Sequence, residues 1–238
     1  TYGLKNIADF KARIIENHFS GLLLNIDGQE VWFKMVGSFN AYNLIAVYAT
    51  ALLLEQDRTR VLTSLSRLSG AEGRFDYIIS PAGIIGIVDY AHTPDAFSKV
   101  LPLLKKICIG KLWVVFGCGG DRDKSKRPIM GKIASQYGDE VIVTADNCRS
   151  EVFTDIAKDI VSGIKNNPHV LQMESRKEAI EYALTQISGN DFLVILGKGH
   201  ETTQIMGEKI LFFSDQKTVK DWMSAKDYSQ LDSKSLNF

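Results

Sequence analysis

The feature that most constrains the fold is the alternation, from Phe75 onward, of short apolar runs with stretches of helical spacing. Near-continuous apolar strands separated by helices are typical of a mainly parallel sheet covered on both faces. The predicted elements are, in chain order, Ile84–Asp89, Pro94–Lys106, Lys111–Phe116, Pro128–Tyr137, Glu140–Thr144, Phe153–Lys165, Lys177–Ile187, Phe192–Leu196, a short strand Lys209–Phe213 and a helix near Thr218–Met223. The sequence therefore predicts an α/β, Rossmann-like fold for this region.

The first 72 residues have a different pattern. Gly21–Met35 predicts a hairpin that turns at Asp27–Gly28. A helix should begin near Asn40, and a second helix should cover Arg58–Leu68. The buried face of the first helix is predicted to carry Leu44, Ala46, Val47, Ala51 and Leu54. The Gly-bracketed stretch Ser69–Arg74 indicates a boundary, which gives domains 1–72 and 73–238.

Composition excludes several classes of function. The chain has 238 residues, and Lys plus Arg equals Asp plus Glu at 28 each, so no bulk charge favours nucleic acid or an acidic membrane as a partner. Three cysteines without a CxxC pair are typical of free thiols in a reducing compartment, and no protein-held metal is expected. The apolar stretch Ala41–Leu54 is too short to span a bilayer. A cytoplasmic monomer is expected.

Charged residues and glycines follow four of the predicted strands. Ligands of open parallel sheets bind outside the carboxyl ends of the strands, so these loops are the candidate site. They are Asp89–Asp95, Gly117–Pro128, Asp146–Arg149 and Gly197–Glu201. Glycines let backbone N–H groups approach an anion, which Arg and Lys side chains then hold. Ordinary turns and helix caps explain any one loop alone, but four together favour a binding site.

Two common phosphate-binding motifs are not met. Gly117-Cys118-Gly119 begins like a dinucleotide motif, but Arg122 stands at its third glycine. The run ending at Ser125 resembles a P-loop but has Cys118 and Asp123 where glycines are needed. These residues are therefore not expected to cradle ATP phosphates by themselves. The dinucleotide motif is incomplete, and no acidic residue follows it about 20 positions further on. Both observations argue against a nicotinamide-dependent oxidoreductase.

The strand-end loops, together with Gly37–Asn43 and Gly73–Phe75, resemble the Mur ligase family. The resemblance covers nearly the whole chain except Thr1–Asp9 and the tail after Trp222. It implies a central ATPase domain with a P-loop, of which residues 1–72 would be the end, and a C-terminal Rossmann-like domain at 73–238. The chain is thus expected to be a fragment that is inactive alone, with Mg²⁺ held mainly by the missing part.

The resemblance implies ATP-dependent amide-bond formation in peptidoglycan synthesis through an acyl phosphate. It places Asn40 and Asn43 at the adenine, Arg74 at the phosphates and Asp89 at the ribose. His92 is also predicted to bind ATP, with an ordinary turn histidine as the alternative. These roles suit amide, guanidinium and carboxylate groups. Helix N-capping is the alternative role for Asn40. No residue of this chain is assigned a catalytic role.

The family's diaminopimelate motif is Asp-Asn-Pro-Arg, and residues 146–149 match three of its four positions. The resemblance implies that diaminopimelate is added to UDP-MurNAc-L-Ala-D-Glu. Arg149 would bind the distal carboxylate and Arg122 a second carboxylate, while Asp146, Glu201 and the backbone near Gly197 receive ammonium groups. Asn147 and Cys148 complete the predicted substrate site. Cys148 in place of proline removes a fixed φ, so L-lysine stays open as the alternative substrate.

A stand-alone amino-acid-binding module is the rival from another class. Such a module has no need for Asn40, Asn43 and Arg74. The first 75 residues therefore favour the ligase.

Overall fold

The computed structural model describes residues 1–5, 7–18, 21–68, 73–80, 83–165 and 169–235, with side chains up to residue 225. The chain divides into two compact units, Thr1–Ala71 and Glu72–Phe238. Within the predicted boundary stretch, residues 69–72 lie outside the described residues. The assignment of the two units to Mur ligase domains remains a prediction.

The first unit is a four-stranded sheet with two helices. The strands lie in the order β1-β2-β3-β4, and the bounds are β1 Tyr2–Gly3, β2 Phe10–His18, β3 Gly21–Ile26, β4 Gln29–Phe33, α1 Ser38–Leu53 and α2 Arg58–Arg67. The predicted hairpin is confirmed as β3 and β4, and its turn residues Asp27 and Gly28 both have positive φ, at 47° and 85°. The strand β2 was not predicted.

The prediction for the buried face of α1 is wrong in part. Only Leu44 of the five predicted residues is buried, and Val47 and Leu54 are exposed. The buried face instead comprises Ala41, Leu44, Ile45, Tyr48 and Ala49. Because the whole helix is rich in apolar residues, its sequence pattern does not single out one face.

The second unit contains a six-stranded sheet in the order β5-β6-β10-β7-β8-β9. All neighbours are parallel except β5 and β6, so the predicted mainly parallel sheet is confirmed. The strands of this unit are β5 Asp76–Ile79, β6 Ile85–Asp89, β7 Leu112–Phe116, β8 Glu140–Thr144, β9 Val170–Met173, β10 Phe192–Leu196 and a separate hairpin of β11 Thr203–Met206 and β12 Lys209–Phe212. Its helices are α3 Pro94–Ile107, α4 Lys126–Tyr137, α5 Phe153–Val161, α6 Arg176–Gln186 and α7 Asp215–Ser235.

Helices cover both faces of this sheet. On one face, α6 and α7 pack against Trp113 and Val115, and Ala183 belongs to the same buried cluster. Successive side chains of a strand alternate between faces, so Phe116 points the other way and meets Phe97 of α3 at a ring separation of 5.1 Å. The contacts of α4 with α3 and α5 extend this second layer. Among the described residues, no helix has the length and apolar character needed to cross a membrane.

The strand order brings the predicted loops to one edge. Leu196 at the end of β10 pairs with Asp89 of β6 on one side and with Phe116 of β7 on the other. Phe116 in turn pairs with Val143 near the end of β8. The chain therefore leaves four adjacent strands at the same edge of the sheet.

Candidate functional site

A cavity of about 290 Å³ lies at this edge and is lined by residues from all four strand-end loops. Seven residues predicted from the sequence line it: His92, Arg122, Asp146, Asn147, Arg149, Gly197 and Glu201. Tyr90, Thr93, Gly119 and Lys126 also line it and were not predicted as site residues. The structure thus brings together both predicted arginines and both predicted carboxylates, whose roles remain predictions.

Arg149 is held by backbone groups rather than by an acidic partner. Its Nη1 donates to the carbonyl oxygen of Gly120 at 2.8 Å and to that of Asn147 at 3.3 Å. Its backbone has φ of 54°, in the left-handed region, and its N–H donates to Ile205 O at 3.1 Å. Carbonyl acceptors leave the guanidinium charge uncompensated, so the group keeps its capacity to bind an anion.

The loop that carries Arg122 is fixed to the loop that carries Arg149. The Oδ1 of Asp121 accepts a hydrogen bond from the Ser150 hydroxyl at 2.5 Å, and its Oδ2 accepts one from the Ser150 N–H at 3.2 Å. These bonds lower the pKa of Asp121. The guanidinium of Arg122 itself is exposed and donates to Asp121 O at 3.2 Å. Two cations therefore face one cavity from two linked loops.

The acidic side of the cavity is built around Asp146, Asn147 and Glu201. Asp146 Oδ1 accepts from the Asn147 N–H at 2.6 Å, and Asn147 Nδ2 donates to Glu201 Oε2 at 3.1 Å. Gly197 has φ of 116°, and a Cβ there would lie 2.7 Å from Asp146 Oδ2. A larger residue at this position would collide with the carboxylate, so glycine is required.

Lys198 is a residue of this site that sequence reasoning missed. Its side chain is fully buried, and its Nζ lies 3.0 Å from Glu201 Oε2. The only signal in the sequence was its position between two glycines directly after an apolar strand. Lysines are almost never fully buried unless they are paired, so nothing local predicts this placement.

Cys148 does not line the cavity, and its role as a substrate-binding residue stays a prediction. Its side chain is 2% exposed, and burial raises the pKa of its thiol to about 11. The thiol is therefore a small buried group beneath the loop. Its neighbours Asn147 and Arg149 point into the cavity instead.

Asp89 is turned inward. Its Oδ2 accepts from the Phe75 N–H at 2.6 Å and its Oδ1 from the Ala91 N–H at 2.7 Å, and burial raises its pKa. These contacts make Asp89 a clamp between two backbone segments. The inward orientation argues against direct contact with a ribose, and that role remains a prediction.

Arg74 and His92 meet at the ring of Tyr90. The guanidinium of Arg74 lies 5.1 Å from the ring centroid, at the distance of a cation–π contact. The ring of His92 packs edge-on against the same tyrosine at 4.7 Å, and its Nδ1 lies 2.8 Å from Tyr90 O. Since a carbonyl only accepts, Nδ1 carries the proton and Nε2 is left for other partners.

Asn40 and Asn43 lie in the first unit. The helix begins at Ser38 after Gly37, so the alternative that Asn40 is the N-cap is wrong. Asn40 Nδ2 donates back to Val36 O at 2.8 Å, and Asn43 Nδ2 donates to Asn40 Oδ1 at 3.2 Å. The two amides thus share one helix face, as their spacing predicted.

Within the part of the chain that the structure describes, no group of three or more His, Cys, Asp or Glu side chains is placed to hold a metal ion.

The fold and the cavity define an α/β protein with a doubly covered, mainly parallel sheet and a site of mixed charge at its carboxyl edge. Residues 73–199 match the family described as Mur ligase, glutamate ligase domain. That match covers more than half of the chain, and the chain belongs to the Mur ligase family.

Several relatives carry the same name, UDP-N-acetylmuramoyl-L-alanyl-D-glutamate–2,6-diaminopimelate ligase. The one from Cytophaga hutchinsonii is 45% identical over 225 residues, which are 93% of this chain and 46% of the relative. The one from Bacteroides fragilis is 42% identical over 228 residues, which are 94% and 47% of the two chains. A solved structure under this name is 36% identical, has a TM-score of 0.69 and covers 95% of this chain and 47% of its own. The chain spans about half the length of these relatives.

Proposed function

We propose that this chain is part of an ATP-dependent amide-bond ligase that adds diaminopimelate to UDP-MurNAc-L-Ala-D-Glu in peptidoglycan synthesis. The observation that carries the proposal is one cavity with two guanidinium groups, of Arg122 and Arg149, and two carboxylates, of Asp146 and Glu201. Diaminopimelate has two carboxylates and two ammonium groups, so its charges are complementary to this set. The names of the relatives support the same reaction.

In the proposed reaction, a substrate carboxylate attacks the γ-phosphate of ATP to give an acyl phosphate and ADP. The amine of the amino acid then attacks the acyl carbon, and phosphate leaves. The residues of this cavity orient the amino acid and neutralise its charges. Holding a nucleophile in position supplies a large part of the rate acceleration in such transfers.

The two guanidinium groups and the two carboxylates each have a complementary partner on the ligand. Arg149 binds the distal carboxylate and Arg122 a second carboxylate, because a guanidinium presents parallel N–H donors. Asp146 and Glu201 receive ammonium groups. L-Lysine lacks the distal carboxylate and leaves Arg149 without a partner, so diaminopimelate is favoured over lysine.

The proposed ATP-binding residues are Asn40, Asn43, Arg74, His92 and Asp89, with Mg²⁺ supplied through other parts of the enzyme. Amides suit the edges of adenine, and the exposed guanidinium of Arg74 suits phosphate. The 238 residues contain no P-loop motif. Taken alone, the chain is therefore not expected to hydrolyse ATP.

The experiment is an assay of the polypeptide that carries this chain in the cell, with UDP-MurNAc-L-Ala-D-Glu and ATP. Phosphate release and tripeptide product are measured with diaminopimelate, with L-lysine and without amino acid. We expect product with diaminopimelate at a kcat/KM at least about 30-fold above that with L-lysine, because one buried ionic partner is worth about 2 kcal/mol or more. Equal rates would contradict the substrate, and no nucleotide-dependent product would contradict the ligase. The purified chain alone is the negative control.

A further inference from the structure

The ammonium of Lys198 lies directly beneath the acidic side of the cavity. Its Nζ is 3.0 Å from Glu201 Oε2, 3.3 Å from Asn147 Oδ1 and 3.8 Å from Asp146 Oδ1. All three partners line the cavity, whereas the Lys198 side chain has no exposed surface. Burying an ammonium is costly unless it is paired, so these contacts fix its position.

Lys198 determines which way the Asn147 amide faces. The Oδ1 of Asn147 accepts from Lys198 Nζ and from the Ile205 N–H at 2.9 Å. With its oxygen occupied by two donors, the amide must direct Nδ2 toward Glu201. An amide nitrogen has two N–H groups, and Glu201 takes only one of them. The second remains a donor for a ligand in the cavity.

Lys198 also makes the two oxygens of the Glu201 carboxylate different in their contacts. Oε2 receives both Lys198 Nζ and Asn147 Nδ2, at 3.0 Å and 3.1 Å. Within the described part of the chain, Oε1 has no hydrogen-bond partner, and the Glu201 side chain is 31% exposed. One oxygen is thus anchored from below, and the other is presented to the cavity.

We propose that Lys198 is a positioning residue for amino-acid binding: it anchors Glu201 and orients Asn147, so that Oε1 accepts a ligand ammonium and Nδ2 donates to a ligand carboxylate. The inference rests on the proposed function, since it assigns the amino acid to this cavity. Lys198 does not touch the ligand and acts through Glu201 and Asn147. Its charge also offsets one of the two carboxylates, which prevents an excess of negative charge next to the ligand's carboxylates.

The test uses the polypeptide that carries this chain and the variants Lys198→Met, Glu201→Gln and their combination. Methionine is unbranched and one atom shorter than lysine, and it removes the ammonium. Lys158→Met, at an exposed lysine of α5 in the same unit, is the matched control. If Lys198→Met does not fold, Lys198→Gln, which retains a donor, takes its place.

Lys198→Met should raise the diaminopimelate KM roughly 10- to 150-fold, the fold-change of one hydrogen bond to a charged group, while the ATP KM changes less than about threefold. The increase in diaminopimelate KM of the double variant should be well below the product of the two single increases, because both changes act on the same carboxylate. Losses that multiply, or equal rises in both KM values, would overturn the proposal and leave Lys198 a structural residue.

A crystal structure of the Lys198 variant decides the positioning role without any assay. We expect the Glu201 carboxylate or the Asn147 amide to leave its present orientation. If both side chains keep their positions without the ammonium, the proposal is wrong. Absence of diaminopimelate-dependent product in the unaltered enzyme would instead overturn the proposed function, and the crystal structure would still report on Lys198.

Discussion

The guanidinium of Arg127 forms two hydrogen bonds with the carboxylate of Glu151, Nη2 to Oε1 at 2.8 Å and Nη1 to Oε2 at 2.9 Å. Arg127 is fully buried at the start of α4, and Glu151 also receives Lys124 Nζ at 3.0 Å and the Asp121 N–H at 2.7 Å. The pair therefore ties the loop of Arg122 to the loop of Arg149. Together with the Asp121–Ser150 hydrogen bonds, this ion pair holds the two loops together.

The first prediction concerns the pH dependence of that ion pair. The hydrogen bonds from Arg127 and Lys124 hold the pKa of Glu151 well below its ordinary value of 4.5. A carboxyl with a lowered pKa contributes stability that is complete above its unfolded-state pKa and is lost as the pH falls through the folded-state pKa. Glu151→Gln should therefore lower the Tm at pH 7, and its difference from the unaltered protein should shrink below about pH 4.5.

Scanning calorimetry between pH 7 and pH 3 checks this prediction. Glu208→Gln, in the exposed turn between β11 and β12, is the control and should leave the Tm unchanged. A Tm difference for Glu151→Gln that is constant with pH would mean that the Glu151 charge contributes nothing.

The loops at the carboxyl edge of the sheet could be predicted because the sequence patterns that indicate them are local. Each central strand is a short apolar run followed by charged residues, with glycines as well after β7 and β10, so parallel strands must bring those loops together. The edge strands β5 and β9 escaped prediction because they are only four residues long and partly exposed. Short strands of this kind lack the continuous apolar pattern of the buried ones.

The buried cations could not be predicted from the sequence. Arg127 and Lys198 sit in charged or glycine-rich runs typical of solvated loops. Arg127 pairs with Glu151 of a later loop, and Lys198 contacts Asn147 and Asp146 of another strand-end loop as well as nearby Glu201. The Asp-Asn-x-Arg motif gave no sign that the Cys148 side chain is buried, since adjacency in sequence does not determine which side chains point inward.

The second prediction tests the burial of Cys148. Burial raises the pKa of Cys148 to about 11 and that of Cys118 to about 12, so at pH 8 neither thiol supplies a reactive thiolate. Iodoacetamide should leave both unlabelled in the native protein and modify both in denaturant, as read by mass spectrometry. Partly exposed Cys108 is the internal comparison. Rapid native labelling of Cys148, blocked by diaminopimelate, would restore it to the cavity.

The third prediction concerns Asp89 and distinguishes its hydrogen bonding to two backbone N–H groups from its predicted ribose binding. Asparagine offers a single side-chain oxygen, so one of the two backbone N–H bonds to residue 89 is lost in Asp89→Asn. Leaving a buried group without its hydrogen bond costs about 1–3 kcal/mol, and the free energy of unfolding should fall by that amount. Urea denaturation measures it, with Asp95→Asn at an exposed position of α3 as control. An unchanged stability together with a higher ATP KM would favour ribose binding over the clamp.

The last prediction concerns Arg149 and the choice of diaminopimelate over lysine. Its Nη1 is engaged by carbonyl oxygens, while in the described part of the chain Nη2 and Nε have no partner. Losing one member of a desolvated ion pair costs about 2–5 kcal/mol, or roughly 30- to 4,000-fold in affinity. In the polypeptide that carries this chain, Arg149→Ala should therefore raise the diaminopimelate KM steeply and leave the ATP KM nearly unchanged.

The variant Arg149→Lys distinguishes the contribution of the positive charge from that of the guanidinium geometry. Arg149→Lys should rescue little, because an ammonium cannot make the parallel bonds of a guanidinium. Lys158→Ala, remote from the cavity edge, should change neither KM. The competing explanation is that Arg149 only braces the Gly120 carbonyl, which predicts a lower Tm and equal, small losses with diaminopimelate and L-lysine. An Arg149→Ala enzyme that melts earlier but keeps its ratio of kcat/KM for the two amino acids would establish that explanation, because a bracing role affects both substrates alike.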